Sequence, residues 1–420
     1  MKCAICDGDQ FHKTDFHKES AVVICKNCGY VCHWRDPKEE EKILEHYRKD
    51  YRANKYPQFG NIITTENKKN YISIFLKDFI AGKKGLVFGD VGAATGYLCH
   101  AMKQIGHNVT GSEYTTYFRR FSEHYYGIPL TEELETKHKY DLISLYHVLE
   151  HMVEPDKKLA HYVSLLKDDG HMLISCPEWF WQLEESAGLP INRFEDLFHK
   201  DHIDIFSRQS LKNLFNKVGL EIVKEDFFQY GQSYLVKKGK PTAIVKENWE
   251  QRLHELFKIK RSIELLKTEK NAKEAIKEWY AYPEAHLHLI GNEYIKDRYK
   301  QEDYFKTLLE KHPPNKNLIT AYAGWLYGGQ QYKEALDEFL QIIQKVPTAD
   351  LLIYTGFCYD FLGQHKEAMR YFDWASKVNP VKWAECFEFL SKAACSMPAW
   401  DERAKEELKE QLLAAHEKKA

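Results

Sequence analysis

The sequence predicts an α/β protein with a doubly wound parallel sheet, preceded by a small cysteine-rich module and followed by an all-α domain of helical repeats. Three observations support this prediction. Five of the ten cysteines cluster near the N-terminus, between Cys3 and Cys32. Short β-rich runs then alternate with amphipathic stretches, which indicates parallel strands with helices on both faces. From about Glu247, after a polar linker, the strand signals end and helical periodicity takes over. The predicted domains are residues 1–51, 52–240 and 241–420.

Composition and charge narrow the function classes. Hydrophobic residues make up 44% of the chain and charged residues 29%, as in soluble globular proteins. Sixty basic residues against sixty-two acidic ones give a net charge of −2. This balance provides no overall positive field, which argues against a nucleic-acid partner. The N-terminus has no signal-like apolar run and no long uncharged apolar stretch follows, so we expect a cytoplasmic protein without membrane attachment.

The central block predicts each element of the sheet in order. Strands are expected at GLVFGDVG, HNVTGSE, YDLISLY, HMLISCP and as a pair within VKEDFFQYGQSYLV. Helices are expected at AATGYLCHAMKQIG, TTYFRRFSEHYYG, PDKKLAHYVSLLKDDG and SRQSLKNLFNKVG. Each of these helices is followed closely by, or ends at, a glycine that suits a left-handed cap.

Two C-x-x-C pairs lie in the first module, Cys3 with Cys6 and Cys25 with Cys28. Four thiolates on two tight turns can surround Zn²⁺ as a tetrahedron, and the metal would supply the core that so short a segment lacks. A site with four cysteine ligands is closed, so we interpret it as structural. A redox dithiol is the competing interpretation, but it needs only one such pair. Cys32 and His33 lie close by and could be spare ligands, but we interpret them as bystanders.

A glycine-rich turn follows the first strand of the central block, Asp90-Val-Gly92-Ala-Ala94-Thr-Gly96. Such a turn lets backbone run close beneath a ligand, and free amides at the helix start can meet its polar groups. Asp90 could orient the loop or reach the ligand through water. Dinucleotide enzymes have a similar turn. Glu113 ends the next strand, where it can accept hydrogen bonds from both ribose hydroxyls of an adenosine.

Further motifs add a family resemblance. They are His147-Val-Leu-Glu-His151, the pattern L-L-K-x-x-G-x-x-x-I-S-x-P, and F-S-x-x-S-L at 206–211. Together with the turn they resemble the class I S-adenosylmethionine-dependent methyltransferases over about residues 85–223. With a cysteine module ending C-x-x-C-G and the spaced Tyr47 and Tyr51, the plan is similar to bacterial sugar C-methyltransferases and other small-molecule methyltransferases. Ala94 stands where the family usually has glycine.

The resemblance implies a cofactor and a set of site residues. S-adenosylmethionine would be bound by Gly92, Ala94, Gly96 and Glu113, with Tyr146 and His147 lining the far wall. Asp201-His202 occupies the position of an acid–histidine pair in the sugar C-methyltransferases, which makes His202 the favoured general base, assisted by Asp201. His147, which clusters with His151, is also a catalytic candidate. Two alternatives to His202 as base stay open: it could simply hold its loop through a backbone hydrogen bond, or His151 could be the base.

Two features concern the acceptor, the molecule that would receive the methyl group. The aromatic loop containing Trp179, Phe180 and Trp181 is predicted either to cover the substrate or to form an apolar docking face. In the third block a pattern recurs, because the interval from Ala335 to Ala368 equals that from Pro347 to Pro380. The pattern resembles the tetratricopeptide repeat, with an unrelated helical bundle as the alternative. A weaker unit includes Gly291, Tyr294 and Pro313, and the last twenty residues suggest a capping helix.

The combined prediction is a methyltransferase that uses S-adenosylmethionine on a small molecule or glycan, with a sugar nucleotide among the candidates. Repeat arrays usually present a concave face to peptides or proteins. The alternative is therefore a methyltransferase of a protein or RNA partner that the repeats select. A scaffold that keeps the fold without chemistry is the third hypothesis.

Overall fold

The structure, a computed structural model, describes residues 1–17, 21–34, 42, 45, 72, 74–177, 194, 198, 201–226, 232–267, 270–278, 283–291, 298–311, 316–344 and 347–378. The chain forms two compact units. The first combines Met1–Lys55 with Gly82–Lys296, and the second combines Tyr56–Ala81 with Asp297–Ala420. The predicted boundaries at 51/52 and 240/241 do not coincide with these divisions and stay predictions.

The cysteine-rich module is built on short antiparallel strands. These are β1 (Phe11–Lys13), β2 (Val22–Cys25) and β3 (Val31–His33). A fourth strand, β8 (Asp204–Ile205), completes the sheet in the order β1-β2-β3-β8. The module therefore shares a sheet with a segment from far along the chain.

The main sheet contains six strands in the described part of the chain. They are β4 (Val87–Val91), β5 (Asn108–Ser112), β6 (Tyr140–Tyr146), β7 (Leu166–Cys176), β9 (Leu220–Asp226) and β10 (Gln232–Lys238). Their order across the sheet is β5-β4-β6-β7-β10-β9. The first four in this order are parallel, whereas β10 is antiparallel to both β7 and β9. The sheet is therefore mixed, not wholly parallel as predicted, because the last two strands form a hairpin edge.

Helices connect these strands where the sequence predicts them. They are α2 (Tyr97–Gln104), α3 (Thr116–Tyr126), α4 (Pro155–Leu165) and α5 (Arg208–Lys217), with a short α1 (Lys77–Ile80) before the sheet in sequence. Gly127 caps α3 in the left-handed conformation, at φ +61°. Ser207 caps the start of α5, since its hydroxyl accepts a hydrogen bond from the Ser210 amide.

One boundary differs from the prediction. The sequence predicts a helix through Gly170, but α4 ends at Leu165 and β7 already begins at Leu166. The register against β6 shifts between Tyr140 and Leu142, so residues 167–170 bulge out of the ladder. Lys167 stabilises this bulge, because its ammonium binds the Asp141 carboxylate at 2.8 Å. Tertiary pairing of β7 with β6, to which this ion pair adds, here overrides the helical pattern of the local sequence.

Two apolar cores hold the first unit together. One joins the sheet to the module, with Leu145, Ile174, Tyr30 and Val23 among its buried members. The other joins the opposite face of β2 to the helices that follow the sheet, with Val22 on the strand side. Successive side chains of a strand point to opposite faces. Strand β2 therefore contributes to both cores, and the module is an integral part of this unit.

The C-terminal helices fall in both units. In the first unit they are α6 (Trp249–Lys267), α7 (Ala272–Glu278) and α8 (Pro283–Gly291). In the second unit they are α9 (Arg298–Lys311), α10 (Lys316–Gly328), α11 (Tyr332–Ile343), α12 (Ala349–Phe361) and α13 (His365–Val378).

A periodic arrangement is visible in the second unit. The interval between the first residues of α10 and α12 equals that between the first residues of α11 and α13. It is also the interval between Ala335 and Ala368. Gly356 lies against the ring of Phe372, where an added Cβ would come within 2.4 Å of ring carbon Cε1. Small residues at fixed positions of a helical repeat allow paired helices to approach closely, and Gly356 is such a residue. Assignment to the tetratricopeptide family stays a prediction.

Several predicted features lie outside the described residues. They are most of the charged segment 36–51, which is predicted to be helical and contains Tyr47 and Tyr51, the aromatic loop at 179–181, Tyr294, Pro313, Pro380 and the last twenty residues. No helix in the described ranges combines the length and the apolar run that a bilayer crossing requires.

Candidate active site and cysteine cluster

The turn between β4 and α2 depends on two glycines. Gly92 and Gly96 adopt left-handed backbone angles, with φ of +64° and +76°. An added Cβ at Gly92 would come within 2.5 Å of Val148 Cγ2, and one at Gly96 within 2.1 Å of Ser122 Oγ. Both conformation and space therefore exclude a side chain at these positions. The turn therefore requires the two glycines that the sequence motif contains.

Glu113 binds the same turn from the end of β5. Its Oε2 accepts a hydrogen bond from the Ala94 amide at 2.9 Å, and its Oε1 accepts one from the Thr115 amide at 2.8 Å. Each carboxylate oxygen has a second lone pair and can accept a further bond. Glu113 therefore joins the turn between β4 and α2 to the next loop and keeps the capacity to bind a pair of hydroxyls. We call this turn the donor turn, because the sequence predicts that it binds S-adenosylmethionine.

The amides of the turn are less available than predicted. The Ala93 amide donates to the Ser112 carbonyl and the Gly96 amide to the Ala93 carbonyl, each at 2.8 Å. With the Ala94 amide bound to Glu113, all three are used within the protein. The expectation of free amides is therefore corrected for these positions, because each N–H already has an acceptor within the protein.

Asp90 lies beneath the turn and is buried. It accepts a hydrogen bond from the Ser144 hydroxyl of the neighbouring strand β6. Burial raises the pKa of its carboxyl to about 7, and the hydrogen bond from Ser144 partly opposes this effect. The two roles proposed from sequence, orienting the loop and reaching a ligand through water, both stay predictions.

Thr95 is a residue that the sequence analysis missed. It stands between Ala94 and Gly96, it is 7% exposed, and its hydroxyl has no hydrogen-bond partner among the described residues. A buried hydroxyl normally has a partner. Its place inside the glycine motif was the signal that could have identified it.

Histidines gather at the carboxyl end of β6. The Tyr146 and His147 rings lie 4.8 Å apart between centroids. His147 has a left-handed φ of +57°, which a non-glycine residue rarely adopts and which is typical of functional sites. Its Nδ1 lies 3.8 Å from Oε1 of the buried Glu150.

His151 and His202 extend this group. His151 Nδ1 lies 2.6 Å from the main-chain oxygen of Asp201, and its ring is 4.9 Å from that of His202. His151 Nε2 lies 3.8 Å from Glu150 Oε1. One ligand-type atom from each of Glu150, His151 and His202 falls within 4.8 Å of the others. Such a set can relay a proton, and its donors would also suit a divalent cation.

The structure therefore brings together some of the residues that the sequence predicts for the site. His202 lies beside His151, which in turn shares Glu150 with His147. Glu150 appeared in the sequence only as one letter of the H-V-L-E-H motif, and nothing local showed that it would be buried between two histidines. The assistance of His202 by the Asp201 carboxylate stays a prediction.

The four cysteines of the module converge. Cys3 Sγ lies 3.7 Å from Cys28 Sγ, and Cys6 Sγ lies 3.6 Å from Cys25 Sγ. All four sulfur atoms fall within 4.8 Å of one another, and none forms a disulfide. A Zn–S bond of about 2.3 Å in a tetrahedral site gives sulfur–sulfur edges of roughly 3.8 Å. The donor set therefore fits zinc in both chemistry and size.

Comparison with known proteins identifies the central part of the chain. Residues 69–225 match a family model described as a methyltransferase domain. The chain contains a methyltransferase domain. The predicted enzyme class, an S-adenosylmethionine-dependent methyltransferase with an α/β Rossmann-like sheet, is thereby confirmed.

Several solved structures are similar to part of the chain. One is the magnesium protoporphyrin IX methyltransferase of Synechocystis with bound S-adenosylmethionine, at 14% identity and TM-score 0.35, covering 48% of this chain and 96% of that one. A Clostridium acetobutylicum methyltransferase matches at 13% identity and TM-score 0.34, covering 47% and 98%. A Leishmania major methyltransferase matches at 17% identity and TM-score 0.35, covering 48% and 85%. No curated protein sequence matches the chain.

Proposed function

We propose that this methyltransferase acts on a small molecule or glycan, with a sugar nucleotide as one candidate acceptor. The observation that carries the proposal is the placement of titratable side chains beside the donor turn. The turn follows β4, and the histidines follow the adjacent parallel strand β6. In open α/β sheets ligands bind at the carboxyl ends of the strands. A donor and a small acceptor would meet there.

The donor would be held by the residues of the turn and its neighbours. Bound S-adenosylmethionine supplies an activated methyl group. Glu113 would accept hydrogen bonds from the ribose hydroxyls with the lone pairs that the Ala94 and Thr115 amides leave free. Gly92 and Gly96 keep the surface beneath the donor clear, and Tyr146 would form the far wall. Asp90 acts from below by fixing the turn.

The protein would have to align the acceptor with the donor's methyl group and remove a proton from the acceptor. We propose His202 as the group that takes the acceptor's proton on an imidazole nitrogen, with Asp201 assisting. His147 would line the acceptor side of the pocket. The positions of His151 and the buried Glu150 support this role, because a proton taken by His202 could be passed on within this group of side chains.

For the cysteine cluster we propose a structural zinc site, with Cys3, Cys6, Cys25 and Cys28 as its four ligands. Sulfur–sulfur distances of 3.6 and 3.7 Å support it. With four protein ligands no position is open for substrate. The metal's role would be to hold the two turns of the module together.

A second candidate is methylation of a macromolecule that the helical unit selects. Exposed aromatic side chains on α12 and α13 favour it: Tyr354, Phe361 and Trp374 are 45%, 49% and 37% exposed. The ring of Phe361 stacks on Tyr332 at 4.4 Å. Exposed aromatic clusters often contact partners. A protein acceptor bound through these helices is therefore the alternative to a small molecule.

One experiment separates these candidates. The purified protein is incubated with methyl-labelled S-adenosylmethionine and a cell extract divided by size, with Glu113→Ala as the inactive control. We expect label in the small-molecule or glycan fraction. Label confined to macromolecules would favour the second candidate and overturn the first. Absence of both labelling and donor binding by calorimetry would indicate a scaffold.

A further inference from the structure

The segment that carries His202 is bound to the cysteine-rich module. Asp204 and Ile205 form strand β8, in which Ile205 pairs with Val31 and Asp204 with Cys32. The His33 amide adds a hydrogen bond to the Ile203 carbonyl at 2.9 Å. His202 therefore directly precedes a segment whose backbone is fixed by the module.

A buried side-chain contact strengthens this connection. Tyr30, two residues after Cys28, donates a hydrogen bond from its phenol to Asp204 Oδ1. Both residues are 1% exposed, and the Tyr30 ring packs against Phe206 at 5.9 Å. Hydrogen bonds to a buried carboxylate are stronger than those between neutral groups, and their loss leaves a charge poorly solvated.

The linker after the sheet contributes a second connection. The Glu247 amide donates to the Cys28 carbonyl at 3.2 Å, and Glu247 Oε2 accepts from the Ser207 hydroxyl at 3.0 Å. Glu247 also lies against Gly29, where an added Cβ would come within 2.9 Å of the Glu247 Cβ. The second cysteine turn is therefore held against the region 204–207 from two directions.

On its other side the segment contacts the methyltransferase domain. The Asp201 carbonyl is bound to His151 Nδ1 at 2.6 Å, and His151 lies directly after Glu150 at the carboxyl end of β6. His202 thus lies between two fixed points, Asp201 on the domain and Asp204 on the module. Its imidazole position depends on both.

We propose that Tyr30 is a positioning residue for His202, which it holds through Asp204, so that the cysteine-rich module forms a structural part of the acceptor site. This inference rests on the proposed function of His202. Loss of the phenol would leave the Asp204 side chain unheld at the start of β8 and let the imidazole move from its productive place. A displacement near 1 Å can slow an aligned reaction by about a hundredfold. Donor binding depends on Glu113 and the turn after β4, so it should not change.

The test compares Tyr30→Phe with Tyr140→Phe in the full-length protein. Tyr140 is a matched control, since it is also buried and its hydroxyl donates to the Glu135 carbonyl at 2.8 Å, at the opposite end of β6. The rate of label transfer into the extract fraction that the unmodified protein labels is measured at saturating S-adenosylmethionine. Tyr30→Phe should lower this rate by roughly 10- to 100-fold and leave the KM for S-adenosylmethionine within about twofold. Tyr140→Phe should leave both unchanged.

A double-mutant cycle with His202→Gln tests the route. If Tyr30 acts through His202, adding Tyr30→Phe to His202→Gln causes little further loss of rate. Independent, multiplying losses would overturn the proposal, as would an unchanged rate for Tyr30→Phe. If His202→Gln itself keeps the full rate, the role proposed for His202 fails instead, so the two failures are distinguishable.

A measurement without acceptor completes the test. NMR of isotope-labelled histidine rings identifies His202 as the resonance absent from His202→Gln. Tyr30→Phe should shift that resonance, whereas Tyr140→Phe should not. An unmoved His202 resonance in Tyr30→Phe would contradict the proposal whatever the rates. Asp204→Asn, which keeps an oxygen acceptor for the phenol, should retain more of the rate than Asp204→Ala.

Discussion

At the scale of single residues, Glu113 has a double function. The same carboxylate that would bind the donor's ribose also accepts two main-chain amides, from Ala94 and Thr115. In the proposed function, donor binding and loop order would therefore be linked through one side chain. Ala94 in place of the usual glycine is compatible with this arrangement, since its amide, not its side chain, makes the contact.

Glu113→Gln should weaken S-adenosylmethionine binding by roughly 10- to 100-fold, because an amide nitrogen cannot accept hydrogen bonds and a bond to a charged group contributes about 1.5–3 kcal/mol. Isothermal titration calorimetry measures the affinity. Glu123→Gln, on the exposed face of α3, is the control and should bind normally. Equal affinities for the two variants would show that the ribose acceptor lies elsewhere.

Asp90 gives a pH-dependent prediction. Burial raises the pKa of this carboxyl in the folded state to about 7, above its ordinary value of 3.8. The folded state therefore binds this proton more tightly than the unfolded state does. The free energy of unfolding that this difference provides is lost as pH rises from about 4 through about 7. Asp90→Asn is neutral throughout and keeps an oxygen for the Ser144 hydroxyl.

The free energy of unfolding of Asp90→Asn should accordingly increase relative to the unmodified protein between about pH 4 and pH 8, by about 1.4 kcal/mol for each unit of pKa difference. Urea denaturation at a series of pH values measures it. Asp168→Asn, at a fully exposed carboxylate, is the control for replacing an aspartate without burial. Parallel curves for Asp90→Asn would mean that the carboxyl is ionised in the folded protein.

At the scale of elements, the cysteine turns and strand β8 form one structure. Cys25 ends β2 and Cys28 follows it within a tight turn, so the ligand positions are fixed by backbone geometry. Cys32 lies in β3, opposite Asp204, and its sulfur is not part of the four-sulfur cluster. The two kinds of cysteine should therefore respond differently to substitution.

Elemental analysis of the purified protein should find about one Zn²⁺ per chain. Cys25→Ser should abolish the zinc and lower thermal stability, because the two cysteine turns would lose the metal that joins them. Cys32→Ser should retain the zinc. Zinc lost equally from both variants would indicate unfolding of the module in general; zinc retained by Cys25→Ser would exclude it as a ligand.

At the scale of the whole molecule, the chain divides into a methyltransferase unit that incorporates the cysteine-rich module and a second unit of paired helices. Each unit has its own buried contacts. In the second, Gly356 on α12 approaches the ring of Phe372 on α13 so closely that no side chain fits between them. Gly324 on α10 has open space around its Cβ position instead.

Gly356→Ala should destabilise the helical unit by about 1–3 kcal/mol, the usual effect of overpacking, without changing affinity for S-adenosylmethionine. Gly324→Ala should stabilise it by up to about 1 kcal/mol, since alanine is the better helix former. Denaturation followed by circular dichroism and donor titration measure the two quantities. A loss of donor affinity in Gly356→Ala would mean that this helix packing supports the donor site.

Local sequence determined much of this protein. Alternating patterns defined the strands and helices, glycines at 92 and 96 defined the donor turn, and the spacing of Cys3, Cys6, Cys25 and Cys28 defined the cluster, since each depends on near neighbours in the chain. The function class followed from the same short motifs. What they could not specify was the pairing of distant segments.

Tertiary structure alone decided those pairings. It placed Asp204 against Tyr30, across 174 residues, buried Glu150 between two histidines, turned the last strands antiparallel, and replaced a predicted helical turn by a bulge bound to Asp141. Periodicity reports which face of an element is apolar, whereas partners from elsewhere in the chain determine what that face and its polar neighbours contact. The donor turn was therefore readable from sequence, and the surroundings of His202 were not.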